Sequence, residues 1–78
     1  MTFDYNENAC RIIKQYFEGE LVRAQDEIRR LESEKNAAPD LRARFEKEAE
    51  QAHYKYYEAF AQIKIHEMNY YLENSADK

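Results

Sequence analysis

Asn36-Ala37-Ala38-Pro39-Asp40 decides the fold, because it is the one cluster of helix-breaking residues in a chain of 78 and it stands almost at the centre. The chain holds a single proline, Pro39, and a single glycine, Gly19, while 36% of its residues are charged. That composition favours long helices over a loop-rich or β-rich fold. The cluster therefore predicts one helix on either side: a first over about 5–35, a loop at 36–39 and a second over about 40–73, within a single domain spanning 1–78. Each helix would extend ~45–50 Å, and so short a loop forces them to lie antiparallel.

The ends of the helices carry their own signals. Asp4 and Glu7 have capping-box spacing, which starts the first helix near Tyr5. Lys35 falls in its last turn, with Asn36 as the C-cap. Pro39 suits the first position of the second helix, where its missing N–H has no partner to lose, and Asp40 places negative charge at that N-terminus. The tail from Asn74 to Lys78 lacks large apolar residues and is expected to fray.

Phe17, Leu21, Ala24, Ile28 and Leu31 follow at spacings of four, three, four and three, the heptad seam of a coiled coil. In the second helix Phe45, Ala49, Ala52, Tyr56, Ala59, Ile63, His66 and Tyr70 repeat that alternation. Folding these two seams together brings Ala24 near Ala52 and Leu31 near Phe45, so that small residues face each other in mid-hairpin. Gly19, inside the first helix, costs ~1 kcal/mol relative to Ala, which fits either a close crossing or a kink.

The second helix also carries a second stripe, Tyr54, Tyr57, Ala61, Ile65, Met68 and Leu72, which at 100° per residue lies opposite the first. A two-helix hairpin covers only one of the two faces. The pairing just described leaves this tyrosine-rich stripe bare, as an interaction surface. Ala9, Ile12, Ile13 and Tyr16 broaden the first helix's seam beside it, so the stripe with Ile12 and Tyr16 forms the predicted partner-binding site at the open end. Toward the loop the seam narrows between charged residues and is expected to be solvated.

A chain this short rarely buries a core worth more than ~3–5 kcal/mol without disulfides, metal or oligomerisation. The single cysteine, Cys10, cannot form an internal disulfide, and no CxxC or Cys/His cluster suggests zinc. Oligomerisation remains, and the expected fold is an all-α, coiled-coil-like antiparallel hairpin that assembles into a four-helix bundle dimer or another even-numbered oligomer. The first residues, MTFDYNEN, show no signal-peptide pattern and no stretch is apolar enough for a membrane span, which leads to the expectation of a soluble, cytoplasmic protein. A net charge of −4 with no basic stripe argues against nucleic acid as a ligand.

Other chemistry is thin. Glu50 and His53 match the Glu-x-x-His pattern of ferritin-like iron sites, with Asp26 or Glu27 at a suitable height, but the motif occurs once and points away from the main seam, so no metal is expected. Cys10 and His66 share a level in the antiparallel register, yet a catalytic pair also needs an oxyanion hole and a cleft. Arg29, Arg30, Arg42 and Arg44 flank the loop among as many carboxylates, which reads as a salt-bridged end. Neither enzyme chemistry nor a cofactor is indicated. The expected function is a non-enzymatic protein-interaction module that self-associates and binds or inhibits a larger protein, as an adaptor, co-chaperone or small inhibitor. Two alternatives stand beside it: an acidic nucleic-acid mimic that inhibits a nucleic-acid-handling enzyme, and a ferritin-like metal-binding assembly using Glu50 and His53.

Overall fold

The computed structural model describes residues 6–75. They form α1, Glu7–Asn36, and α2, Leu41–Ser75, packed against each other as an antiparallel hairpin. Asp4 and Tyr5 lie outside the described residues. The described cap of α1 is Asn6, whose extended backbone ends the helix and whose Oδ1 accepts the N–H of Ala9 at 2.7 Å. Glu7, the other half of the expected capping box, is held instead by Arg11 one turn on.

The loop differs from expectation by a residue at each side. Asn36 is still helical, and Ala37 is the C-cap, with its N–H donated to the Ser33 carbonyl at 3.2 Å. Asp40, rather than Pro39, is the pivot of α2: its side chain accepts the N–H of Ala43 at 2.8 Å and its carbonyl that of Arg44 at 3.1 Å. Pro39 therefore precedes the cap. The carboxylate satisfies an orphan donor and meets the positive end of the helix, and this decides the boundary. At the other end α2 runs on to Ser75, with Asn74 Nδ2 donating to the Tyr70 carbonyl at 2.8 Å. Ala76, Asp77 and Lys78 lie outside the described residues.

The seam on α1 is the expected one. Ala24 and Leu31 are buried, and Phe17, Leu21 and Ile28 are partly so, with Cys10 extending the line to the open end. On α2 the side turned inward is the other stripe: Ala61 is 0% and Met68 2% exposed, whereas Tyr56 is 75% and Ile63 58% exposed. Tyr54, Tyr57, Ile65 and Leu72 join the inner face at intermediate burial. The expectation that Phe45, Ala49, Ala52, Tyr56, Ala59, Ile63, His66 and Tyr70 form the intramolecular seam is thus corrected, and so is the expectation that the tyrosine stripe is bare. The register along the axis is close to that expected, with Phe17 against Phe60 and Ala24 beside Tyr54; the rotation of α2 is what differs.

Polar contacts explain that rotation. Gln51, 3% exposed, donates through Nε2 to the Ile28 carbonyl at 3.1 Å and to Glu32 Oε2 at 2.8 Å. One turn nearer the loop, Lys47 Nζ meets Glu34 at 3.1 Å, the one ion pair among the described residues that joins the two helices. Turning α2 by half a revolution would lose both contacts and bury His66 in their stead. The remaining ion pairs run along single helices on exposed faces, where each contributes ~0–1 kcal/mol.

Gly19 sits in ordinary helix, and a Cβ built there meets nothing within 4 Å. Neither a close crossing nor a positive φ requires it. Among the described residues no helix is long and apolar enough to cross a membrane.

Three outcomes are expected. Gly19→Ala raises the unfolding free energy by about 1 kcal/mol, since it removes backbone entropy at no steric cost; urea titration checks this, and a loss of stability would mean that the outer face of α1 is covered in solution. Gln51→Ala lowers it by about 1–3 kcal/mol, because a filled, doubly bonded position is emptied. Glu32 is held below the ordinary carboxylate pKa of about 4.5 by the Gln51 hydrogen bond and then Lys35, and Glu34 by Lys47 and then Arg30. Both stabilise the fold above that pKa and lose their contribution as the pH falls below it. The melting temperature should therefore drop between pH 6 and pH 3, and drop less in Glu32→Gln/Glu34→Gln.

Candidate interaction surface

Of the residues the sequence singles out for partner binding, Tyr54, Tyr57, Ala61, Ile65, Met68 and Leu72 are brought together, but against α1. They build the hairpin core. Met68 and Leu31 are the largest fully buried side chains, so the stripe read as an external contact is what holds the two helices to each other. Ile12 and Tyr16 are exposed at the open end as expected, on α1.

The face left over is the outward side of α2. Phe45, Tyr56, Ile63 and Tyr70 are each more than half exposed there, and Ala49, Ala52, Ala59 and His66 are exposed between them. Leu41, four residues before Phe45 and also exposed, continues the line to the loop. At 100° per residue the stripe lies about opposite the inner face, so α1 does not reach it. The corresponding outward line of α1 reads Asn8, Arg11, Gln15, Gly19, Val22, Asp26, Arg29 and Ser33, all exposed and all polar except Gly19 and Val22, with exposed Ile12 at its border. One flat side of the hairpin is therefore solvated and the other is apolar.

An aromatic edge adjoins the apolar side toward the open end. Tyr16 stacks on Phe17 with centroids 5.1 Å apart, Phe17 meets Phe60 edge-on at 5.8 Å, and Phe60 lies 6.2 Å from Tyr57. Lys64 Nζ stands 5.5 Å over the Phe60 ring and pairs with Glu67 at 3.3 Å, leaving Phe60 partly open. Burial of the Tyr57 phenol, with Tyr16 and Glu20 nearby, pushes its pKa up.

The chemical alternatives do not assemble within one chain. Cys10 is fully buried while His66 is exposed, lining a shallow cleft with Glu67, Tyr70 and Tyr71. His53 lies on an open cleft with Glu20, Arg23, Ala24, Tyr54 and Tyr57, its ring edge-on to Tyr54 at 5.5 Å. Glu50 and Asp26 do not line that cleft, and among the described residues no group of three or more His, Cys, Asp or Glu is placed to hold a metal ion. At the loop, Arg29 pairs with Asp26, Arg30 with Glu27 and Glu34, and Arg42 with Glu46. The carboxylates that a nucleic-acid mimic would display are in large part held by their own basic neighbours.

Sequence spacing found both faces of α2 but missed two contributors to the outer one. Leu41 extends the same four-residue step, a signal present in the sequence, whereas Phe60 belongs to neither heptad line and joins through its ring contacts with Phe17 and Tyr57. No protein-family model, curated protein or solved structure matches this chain.

Proposed function

We propose that the protein is a non-enzymatic interaction module whose docking strip is the outward face of α2, covered first by another copy of the hairpin. The observation that carries this reading is the contrast between the two flat sides: polar along α1, and a heptad-spaced apolar line along α2. A contiguous apolar stripe at 3.5-residue spacing is the pattern that a neighbouring helix covers. The intramolecular core supports the same conclusion, because among the described residues Cys10, Ala24, Leu31, Ala61 and Met68 are a small set of buried apolar side chains.

In the assembled form the protein serves as an adaptor, co-chaperone or small inhibitor of a larger protein. Ile12 and Tyr16 lie on α1, outside the α2 strip, and with Val22 are exposed apolar side chains left for that second contact. An interface built on apolar area should be nearly indifferent to salt, unlike one built on acidic mimicry.

Light-scattering mass across a concentration series tests the reading. The wild-type chain is expected to run at twice its 9.4 kDa mass or a higher even multiple, and Ile63→Asp to run as a helical monomer. Ile65→Asp should instead lose helicity, since it strikes the core. A wild-type chain that stays monomeric at all concentrations, or an Ile63→Asp variant that keeps its mass, would overturn the proposal.

A further inference from the structure

The outward face of α2 mixes two sizes: Phe45, Tyr56, Ile63 and Tyr70 are bulky, and Ala49, Ala52 and Ala59 are small. Resting on the self-association proposed above, we infer that the second copy lies antiparallel along this face, in a register that sets bulky against small along its middle. With Tyr56 level with Ala59 of the second copy, Ala52 falls opposite Ile63, Ala49 opposite His66, and Phe45 opposite Tyr70 at the ends. This register also centres α2 on itself and so overlaps the whole seam. In a parallel, in-register pair every residue meets its own twin, so that Tyr56 meets Tyr56 and Ala52 meets Ala52, which alternates clashes with voids.

The area suffices. Full burial of an aromatic side chain covers ~150–250 Å², so the exposed parts of Phe45, Tyr56 and Tyr70, with Ile63, Leu41 and the alanines, offer about 600 Å² per copy. The pair would bury about 1,200 Å², the lower edge of the range for stable interfaces. Glu46 and Glu67 approach each other along one flank of this register, and both are already paired, with Arg42 at 3.6 Å and Lys64 at 3.3 Å. Because the two faces of α2 lie on opposite sides, the four helices stand in a row, with the two copies of α2 at the centre, instead of closing into a square.

A double variant, Ala52→Cys/Ile63→Cys, tests orientation and register under mild oxidation, with linkages located by peptide mapping so that any bond through Cys10 is recognised. Helices 8–10 Å apart bring facing seam Cα atoms to about 4–6 Å, within disulfide reach. In the inferred register residue 52 of one copy lies about 16 Å along the axis from residue 52 of the other, beyond that reach. The expected product is a dimer linked 52 to 63, with neither single variant cross-linking. Links joining 52 to 52 or 63 to 63 would establish a parallel pair and overturn the inference. So would a dimer that forms no link at any of these positions. A chain that is monomeric by light scattering before oxidation would instead remove the self-association on which the inference rests.

A size swap gives a second reading that uses no thiols. Ala59→Tyr should weaken dimerisation about tenfold or more by setting tyrosine against tyrosine, and adding Tyr56→Ala should restore it, because the bulky and small partners then merely exchange places. A double variant no tighter than Ala59→Tyr alone would overturn the register.

Discussion

A helix can bury only one face against a single neighbour, and this hairpin joins a helix with one apolar face to a helix with two. The other features follow from that mismatch. The seam of α1, from Cys10 through Ala24 to Leu31, is satisfied by contact with α2, and its far side is polar. Once α2 has met α1 through Ala61 and Met68, its opposite face stays exposed among the described residues. Folding alone therefore leaves a line of half-exposed aromatic and aliphatic side chains about as long as the helix itself.

Which of its two faces α2 turns inward is settled by polar groups. Apolar contacts are nearly indifferent to the choice, since either face presents bulky side chains at heptad spacing. Gln51 is not indifferent. Its amide bonds to the Ile28 carbonyl and to Glu32, and the Lys47 to Glu34 ion pair lies one turn away, so both contacts fix the rotation and the axial register together. Removal of a satisfied buried amide leaves a defect costing more than the bond's net worth, which gives such groups their power to select among near-equivalent packings.

The sequence made the hairpin legible through local rules: a breaker cluster between two uninterrupted stretches, and a seam at alternating spacings of four and three on α1. Boundaries moved by one or two residues because capping is decided by side-chain oxygens, Asn6 and Asp40, rather than by proline. The assignment of faces on α2 failed for a different reason. Spacing gives the direction of a stripe around a helix and says nothing about which stripe a neighbour selects, and two stripes shared nearly the same period. Pairing Ala24 with Ala52 treated small against small as favourable, whereas the structure sets Ala24 beside Tyr54 and Tyr57. Gln51 was the available clue: a long amide inside a charged stretch, at the edge of the stripe carrying Tyr54 and Tyr57, with a carboxylate and a free helical carbonyl lone pair within its reach across the seam.

Bulky against small is thus how the hairpin packs at Ala24, beside Tyr54 and Tyr57, and it bears on why the outer face of α2 looks as it does. A face meant only for solvent has no use for aromatic side chains, as the polar outward line of α1 shows. A face meant only to adhere would do as well with uniform leucine, which is compatible with many registers and either direction. The mixture of tyrosine, phenylalanine and isoleucine with alanine carries additional information, because it matters only when side chains from another helix enter the spaces over the alanines. Among the described residues Ala49, Ala52 and Ala59 stand exposed. The size pattern therefore fits the interdigitating partner proposed above, and because bulky positions on one side of the middle of α2 answer small ones on the other, that partner can be the same helix running the other way.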